Sequence, residues 1–251
     1  MIYGNVYSGF SIKAGGSVEI RGSVEDACII AGGDVLLSYG MQGTEKSKII
    51  AGGNVAAKFL QNVNVEAGGN IIAEAILHSC VNAGDSIKTE VGKGTIVGGS
   101  AAATQMIVAK SIGSPMGTVT AIQIGISPAI YKEYRAIREE LKEKTESIGK
   151  IDQSIRFLIE KSKVSKLDGG KQMMLQKLSN SRQPLIESYE EKKARYKKLE
   201  MQLSEAKEGL IKVVDTIYPG VKVEMGNLIK YIDESYMRCT IRRTEGEIYI
   251  G

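Results

Sequence analysis

Few residues in this chain of 251 are suited to chemistry. His78, the only histidine, is followed by Ser79 and Cys80. Such a run could pair a nucleophile with a base, or offer an imidazole and a thiolate to a metal. Zinc needs three or four convergent ligands, however, and the other cysteines, Cys28 and Cys239, are distant in sequence and outside any Cys-x-x-Cys spacing. His78 is therefore read as structural or surface, and the three cysteines as reduced, small hydrophobes of a cytoplasmic protein. The glycine-rich segments could cradle phosphate, but none continues as Gly-x-x-x-x-Gly-Lys-Ser/Thr into a helix. Asp34 and Asp85 occupy different places beside their glycines, unlike the repeating aspartates of a calcium roll. These residues give no catalytic, cofactor-binding or metal site, and no cofactor.

Charge offers one more candidate. Lys192, Lys193, Arg195, Lys197 and Lys198 cluster, with Arg238, Arg242 and Arg243 further on, and could meet nucleic acid. Glu187, Glu190, Glu191 and Glu200 surround the first group, so a solvated helix face is the favoured reading and nucleic acid the disfavoured one. Overall, 33 basic residues against 29 acidic ones leave a net charge of only +4, too little for a strong field. No apolar run approaches the roughly 18 residues of a membrane span, and the amino terminus has no basic region leading into an apolar one. With 43% hydrophobic residues, the chain can bury a core without disulfides or metal.

The elements that hold these residues follow from a repeat. Ala14-Gly15-Gly16-Ser17, Ala31-Gly32-Gly33-Asp34, Ala51-Gly52-Gly53-Asn54 and Ala67-Gly68-Gly69-Asn70 share one pattern, with weaker copies at Ala83-Gly84-Asp85-Ser86 and Val97-Gly98-Gly99-Ser100. Ile12, Ile29, Ile49, Val65 and Val81 precede the alanine position by two residues, a series that Thr95 breaks. Val18, Val35, Val55, Ile71, Ile87 and Ala101 follow the tetrads. The intervals are too short for strand-helix-strand units, and two glycines in each would cost a helix about 2 kcal/mol. Short strands with sharp corners fit, glycine supplying positive φ at the corners. A single coil cannot bury its apolar edge, so the coils stack.

These features predict a mainly β chain, a right-handed parallel β-helix of short coils over residues 1–127. Gly15, Gly16, Gly32, Gly33, Gly52, Gly53, Gly68, Gly69, Gly98 and Gly99 are its structural turns. Ser17, Asp34, Asn54, Asn70, Ser86 and Ser100 should form a polar ladder, and Ser38 to Lys48 an insertion that is a candidate contact loop.

From Pro128 the period changes. Ile130, Tyr134, Ile137, Leu141, Ile148, Ile151, Ile155 and Leu158 form one heptad seam, interrupted by Lys144. After Asp168-Gly169-Gly170 a second follows, with Leu175, Leu178, Leu185, Tyr189, Tyr196, Leu199, Leu203, Ala206, Leu210, Val213 and Ile217, and with Arg182 and Lys192 at the remaining seam positions. Residues 128–217 therefore read as a long antiparallel coiled-coil hairpin inserted into the β-helix, its arms roughly 55 to 65 Å long. Pro184 should kink or restart the second arm. Tyr189, Tyr196, Leu199 and Leu203 are the candidate contacts across the seam, within the chain or with another subunit. Alternation resumes after Tyr218-Pro219-Gly220, so residues 218–251 should be returning strands that complete the β-helix.

With Gly92-Lys93-Gly94-Thr95-Ile96-Val97-Gly98-Gly99, Ile112-Gly113-Ser114, Thr120-Ala121-Ile122-Gln123-Ile124-Gly125 and Ile217-Tyr218-Pro219-Gly220-Val221 in this order after the Ala-Gly-Gly coils, essentially the whole chain resembles the FapA (flagellar assembly protein A) family. The resemblance implies a bacterial cytoplasmic β-helical protein, linked to flagellar assembly and able to form polymers, and it brings no catalytic residue. The expectation is a non-catalytic, self-associating scaffold, with the hairpin available to a protein partner. The rival classes are a sugar-acting β-helix enzyme, a likeness of fold alone, and a nucleic-acid binder.

Overall fold

The computed structural model describes residues 1–44, 46–125, 128–164, 168–204 and 209–251. The chain forms two compact units, Met1–Pro128 with Leu203–Gly251, and Ala129–Gln202.

The first unit is a β-solenoid with three parallel ladders. Ile12, Ile29, Ile49, Val65, Val81, Ala101, Ile122 and Val223 form one column. Val18, Val35, Val55, Ile71, Ile87, Ile107 and Ile211 form the second. The third runs Val6, Val24, Met41, Leu60, Ile76, Ile96, Ile112 and Ile217. Nearly all of these side chains are buried. Like residue sits on like about 4.8 Å away, and each interior aliphatic group contributes roughly 1.5 to 3 kcal/mol.

Two expectations need correction here. Val97-Gly98-Gly99-Ser100 is not a sixth copy of the corner. Register puts Ala101 over Val81, so Ala101 continues the first column, which Thr95 does not interrupt, and Ile107 continues the second. Ser100 stands over Cys80, off the polar ladder. Gly98 and Gly99 instead lie at another corner, both at φ +72°, in register with His78 and Ser79. Glycine there does supply a left-handed turn, which Asn62 and His78 also adopt in the coils below.

At the Ala-Gly-Gly corners the reason is different, because none of those glycines has positive φ. A Cβ on Gly32 would lie 2.2 Å from the Gly15 carbonyl oxygen, one on Gly52 the same distance from that of Gly32, and one on Gly68 the same from that of Gly52. The second glycines, Gly33, Gly53 and Gly69, sit against Ser17 Oγ, Asp34 Oδ1 and Asn54 Oδ1. The pair is required because it is seated directly on the preceding corner. The polar ladder locks each step: the Asp34 amide donates to Ser17 Oγ, that of Asn54 to Asp34 Oδ1, and that of Asn70 to Asn54 Oδ1.

Ser38 to Lys48 is not a simple bulge. Met41–Gln42 forms a strand and Met41 is fully buried in the third column. Beyond it, the Asp26 carboxylate accepts bonds from the hydroxyls of Ser47 and Thr44 at 2.5 and 2.6 Å, which hold this acid below its usual range. Glu45, part of the expected loop, lies outside the described residues.

Helix α1 covers Pro128–Val164 and α2 covers Gly169–Ser204. At 37 and 36 residues, each is about 55 Å long. Helix α2 runs through Pro184 without restarting. The expected helical end at residue 217 is corrected: Leu210–Ile217 is a strand paired parallel with Met106–Ile112. Leu210, Val213 and Ile217 fit heptad spacing, but this β-branched segment has an open strand edge to join. Ala206 lies outside the described residues. In the solenoid, Gly209 returns beside Gly125, where a Cβ on Gly209 would be 2.8 Å from the Gly125 nitrogen.

Of the returning strands, only Val221–Met225 continues the parallel coil. Leu228–Tyr231, Tyr236–Met237, Thr240–Thr244 and Glu247–Ile250 pair antiparallel and close that end.

The corner geometry predicts that Gly52→Ala lowers stability by about 1 to 3 kcal/mol through overpacking, whereas Gly15→Ala, with nothing within 4 Å of its Cβ position, changes it by no more than about 0.5 kcal/mol. Urea denaturation midpoints of the two variants would show this contrast. Equal effects would contradict it.

Candidate functional site

His78, Ser79 and Cys80, consecutive in sequence, do not converge. Ser79 is buried, accepts a bond from the Val63 amide at 3.1 Å, and donates to the carbonyls of Leu77 and Leu60. Its hydroxyl is committed to the backbone. His78 and Cys80 are exposed. Cys28 is partly exposed and Cys239 buried, all three thiols are free, and burial pushes the Cys239 thiol up from its ordinary pKa. Among the described residues no group of three His, Cys, Asp or Glu is placed to hold a metal.

The two helices meet along polar contacts that fix their direction. Glu133 pairs with Arg195, Tyr134 with Tyr196, Glu140 with Lys192, Lys144 with Ser188, and Asp152 with Arg182. Residue numbers rise along one helix as they fall along the other, which makes the pair antiparallel. The seam residues Lys144, Arg182 and Lys192, which read as interruptions in a heptad, each find a partner across the seam. Asp152 is held below and Arg182 above its ordinary pKa by their mutual hydrogen bond at 2.6 Å, and Glu133 and Arg195 behave likewise at 2.7 Å.

Of the four predicted contacts, Tyr196 stacks on Tyr134 with ring centroids 4.8 Å apart and a hydroxyl–hydroxyl bond of 2.6 Å. Leu199 and Leu203 are buried within the single chain, and Tyr189 is half-buried under the ammonium of Lys193. The basic cluster is partly spent as well. Lys192 and Arg195 pair with acids of α1, Lys193 lies 3.6 Å from Glu190, and Arg242 covers Tyr249.

Sequence reasoning did not find the surfaces where apolar side chains remain exposed. Tyr3, Tyr7 and Phe10 project from the first coil, and Ile229, Tyr231 and Tyr249 from the antiparallel strands at the other end of the solenoid. A third group, Leu36, Ile72 and Val91, lines a shallow groove on the outer face of one ladder, flanked by Lys58, Glu74 and Lys88. Period-two alternation assigns such residues to the outside; only the stack reveals that they gather.

Burial, and then the bond to Tyr196, push the Tyr134 phenol up to about 12. A raised acid pKa favours the neutral folded form, so this contribution to pairing is complete below pH 10, the ordinary tyrosine value, and lost as pH rises toward 12. The phenolate absorbance lost in Tyr134→Phe should accordingly titrate near pH 12. A difference curve centred at the ordinary tyrosine pKa would contradict the pairing.

No curated protein and no solved structure matches the chain. A family model does. It is described as the Flagellar Assembly Protein A beta solenoid domain and covers residues 1–248, solenoid and helical pair together, so the chain belongs to the FapA family.

Proposed function

We propose that this protein is a non-catalytic scaffold of flagellar assembly that associates with further copies of itself through the ends of its solenoid, with the helical pair as a second surface for a protein partner. The family's description ties the chain to flagellar assembly and names no reaction. The observation that carries the reading is the placement of exposed apolar groups. Tyr3, Tyr7 and Phe10 at one end and Ile229, Tyr231 and Tyr249 at the other lie beside strand edges, while the interior columns are sealed. Edges of this kind template further strands, and apolar side chains beside them add the burial that holds an association.

The helical pair closes its polar seam within one chain, which leaves Phe157, Met173 and Met174 exposed for a partner. Tyr189, Tyr196, Leu199 and Leu203 serve the internal seam in this reading. Three free thiols fit a cytoplasmic setting. No helix among the described residues is long and apolar enough to cross a membrane. The ion pairs within the basic cluster leave less charge for phosphate contacts, which disfavours nucleic acid as a partner.

Light scattering over a concentration series, with electron microscopy of the same samples, tests the scaffold. The expected result is mass increasing with concentration, and a shift toward monomer in a Tyr3→Ser/Tyr7→Ser/Phe10→Ser variant. A species that stays strictly monomeric at high concentration would refute self-association.

A further inference from the structure

The outer face of the second ladder carries a pattern that the core does not require. One outward position in successive coils reads Glu19, Leu36, Ala56, Ile72 and Lys88, each in register with the next. Two residues further along each strand the order is Arg21, Ser38, Lys58, Glu74 and Glu90. Leu36 and Ile72 are 44% and 49% exposed, and the small Ala56 between them leaves the hollow of the shallow groove. Two aliphatic side chains on one outward column form a patch rather than scattered single residues.

This pattern is complementary to itself when inverted. If a second copy is turned about a two-fold axis that runs parallel to the strands beside Ala56, each column faces its own counterpart in reverse order. Glu19 then meets Lys88 of the second copy, Leu36 meets Ile72, and Ala56 meets Ala56. In the adjoining column Arg21 meets Glu90 and Ser38 meets Glu74. Lys58 alone meets a like charge, with a Glu74 from each copy beside it. The side chains of Lys58, Glu74, Lys88 and Glu90 make no ion pair or hydrogen bond with any described residue, so they are available for these contacts. Glu19 and Arg21 hold one another at 2.9 Å and present an acid and a base in the order that Lys88 and Glu90 would answer.

We infer that this face pairs with the same face of a second copy, inverted, as an isologous dimer. Acids at Glu19, Glu74 and Glu90 balance bases at Arg21, Lys58 and Lys88, so the face suits neither a polyanion nor a polycation. The order of those charges, reversed from one end of the patch to the other, selects a copy of itself. Leu36 packed on Ile72 of the second copy, with the sheets about 10 Å apart, supplies the apolar burial. The patch extends about 19 Å along the stack, the size of a transient contact and not of an obligate dimer, so the pairing is reversible and of micromolar strength. It is a lateral contact, separate from the ends of the solenoid, and does not rest on association through them.

Sedimentation equilibrium tests the pairing in a Tyr7→Ser/Phe10→Ser/Tyr249→Ser chain, altered at both ends of the solenoid but not at Tyr3, which lies against Arg21. A reversible equilibrium between monomer and dimer is expected. Ile72→Lys, at an exposed position, should keep the denaturation midpoint and weaken the dimer about tenfold or more. Lys88→Glu and Glu19→Lys, each alone, set like charges against one another at both ends of the face and should weaken it about as much. Mixed in equal amounts, these two variants meet with opposite charges at both ends and should regain the original affinity as a heterodimer, a recovery that a folding defect would not produce. A chain that stays monomeric, a dimer that survives Ile72→Lys, or a mixture no tighter than its components would overturn the inference. If the unaltered chain gains mass while the end variant stays monomeric, association through the ends stands and this pairing falls; a dimer in the end variant, with no species beyond two chains in the unaltered protein, gives the reverse.

Discussion

The structure depends on how closely one coil can approach the next. Strands in register stand about 4.8 Å apart, and at the Ala-Gly-Gly corner the backbone of one coil is pressed onto the carbonyl of the one beneath, leaving no room for a Cβ. That contact sets the registry of the whole stack. Once Gly32 is seated on Gly15, Ile29 falls on Ile12 and Val35 on Val18, and the three interior columns follow. A shift of one residue would turn every interior aliphatic group outward, so the corner and the core enforce the same alignment.

The helical pair is held by another kind of interaction. Its seam is narrow and polar, with tyrosine stacked on tyrosine and four charged or hydroxyl pairs along it. Exposed ion pairs contribute little to stability individually. Their value lies in specificity, since Lys144, Arg182 and Lys192 each meet a suitable partner in only one antiparallel register. In the solenoid, shape defines the alignment; in the helices, charge placement does.

Much of this was legible in the chain. Glycine pairs at short intervals, β-branched residues at fixed offsets, and the change to heptad spacing after Pro128 define a stack of coils interrupted by two helices, because each pattern is compatible with only one backbone period. Family resemblance pointed the same way, and the match over residues 1–248 establishes it. Where the patterns overlap, sequence failed. Leu210, Val213 and Ile217 satisfy a helical and an extended spacing alike, and only the free edge of Met106–Ile112 decides between them. Gly98 and Gly99 look like one more corner but serve another, with the opposite sign of φ.

What the sequence determined by itself is the architecture, since periodicity and the glycine pairs are local facts that survive without coordinates. What only the tertiary structure decided is why those glycines are needed, which residues face one another across the helices, and where exposed apolar side chains gather. All three depend on which atoms become neighbours across intervals of 16 residues or more, and a linear pattern does not carry that information. Gly15 and Gly52 hold the same place in the repeat, yet a Cβ on Gly52 would lie 2.2 Å from the Gly32 carbonyl oxygen while one on Gly15 would meet nothing within 4 Å.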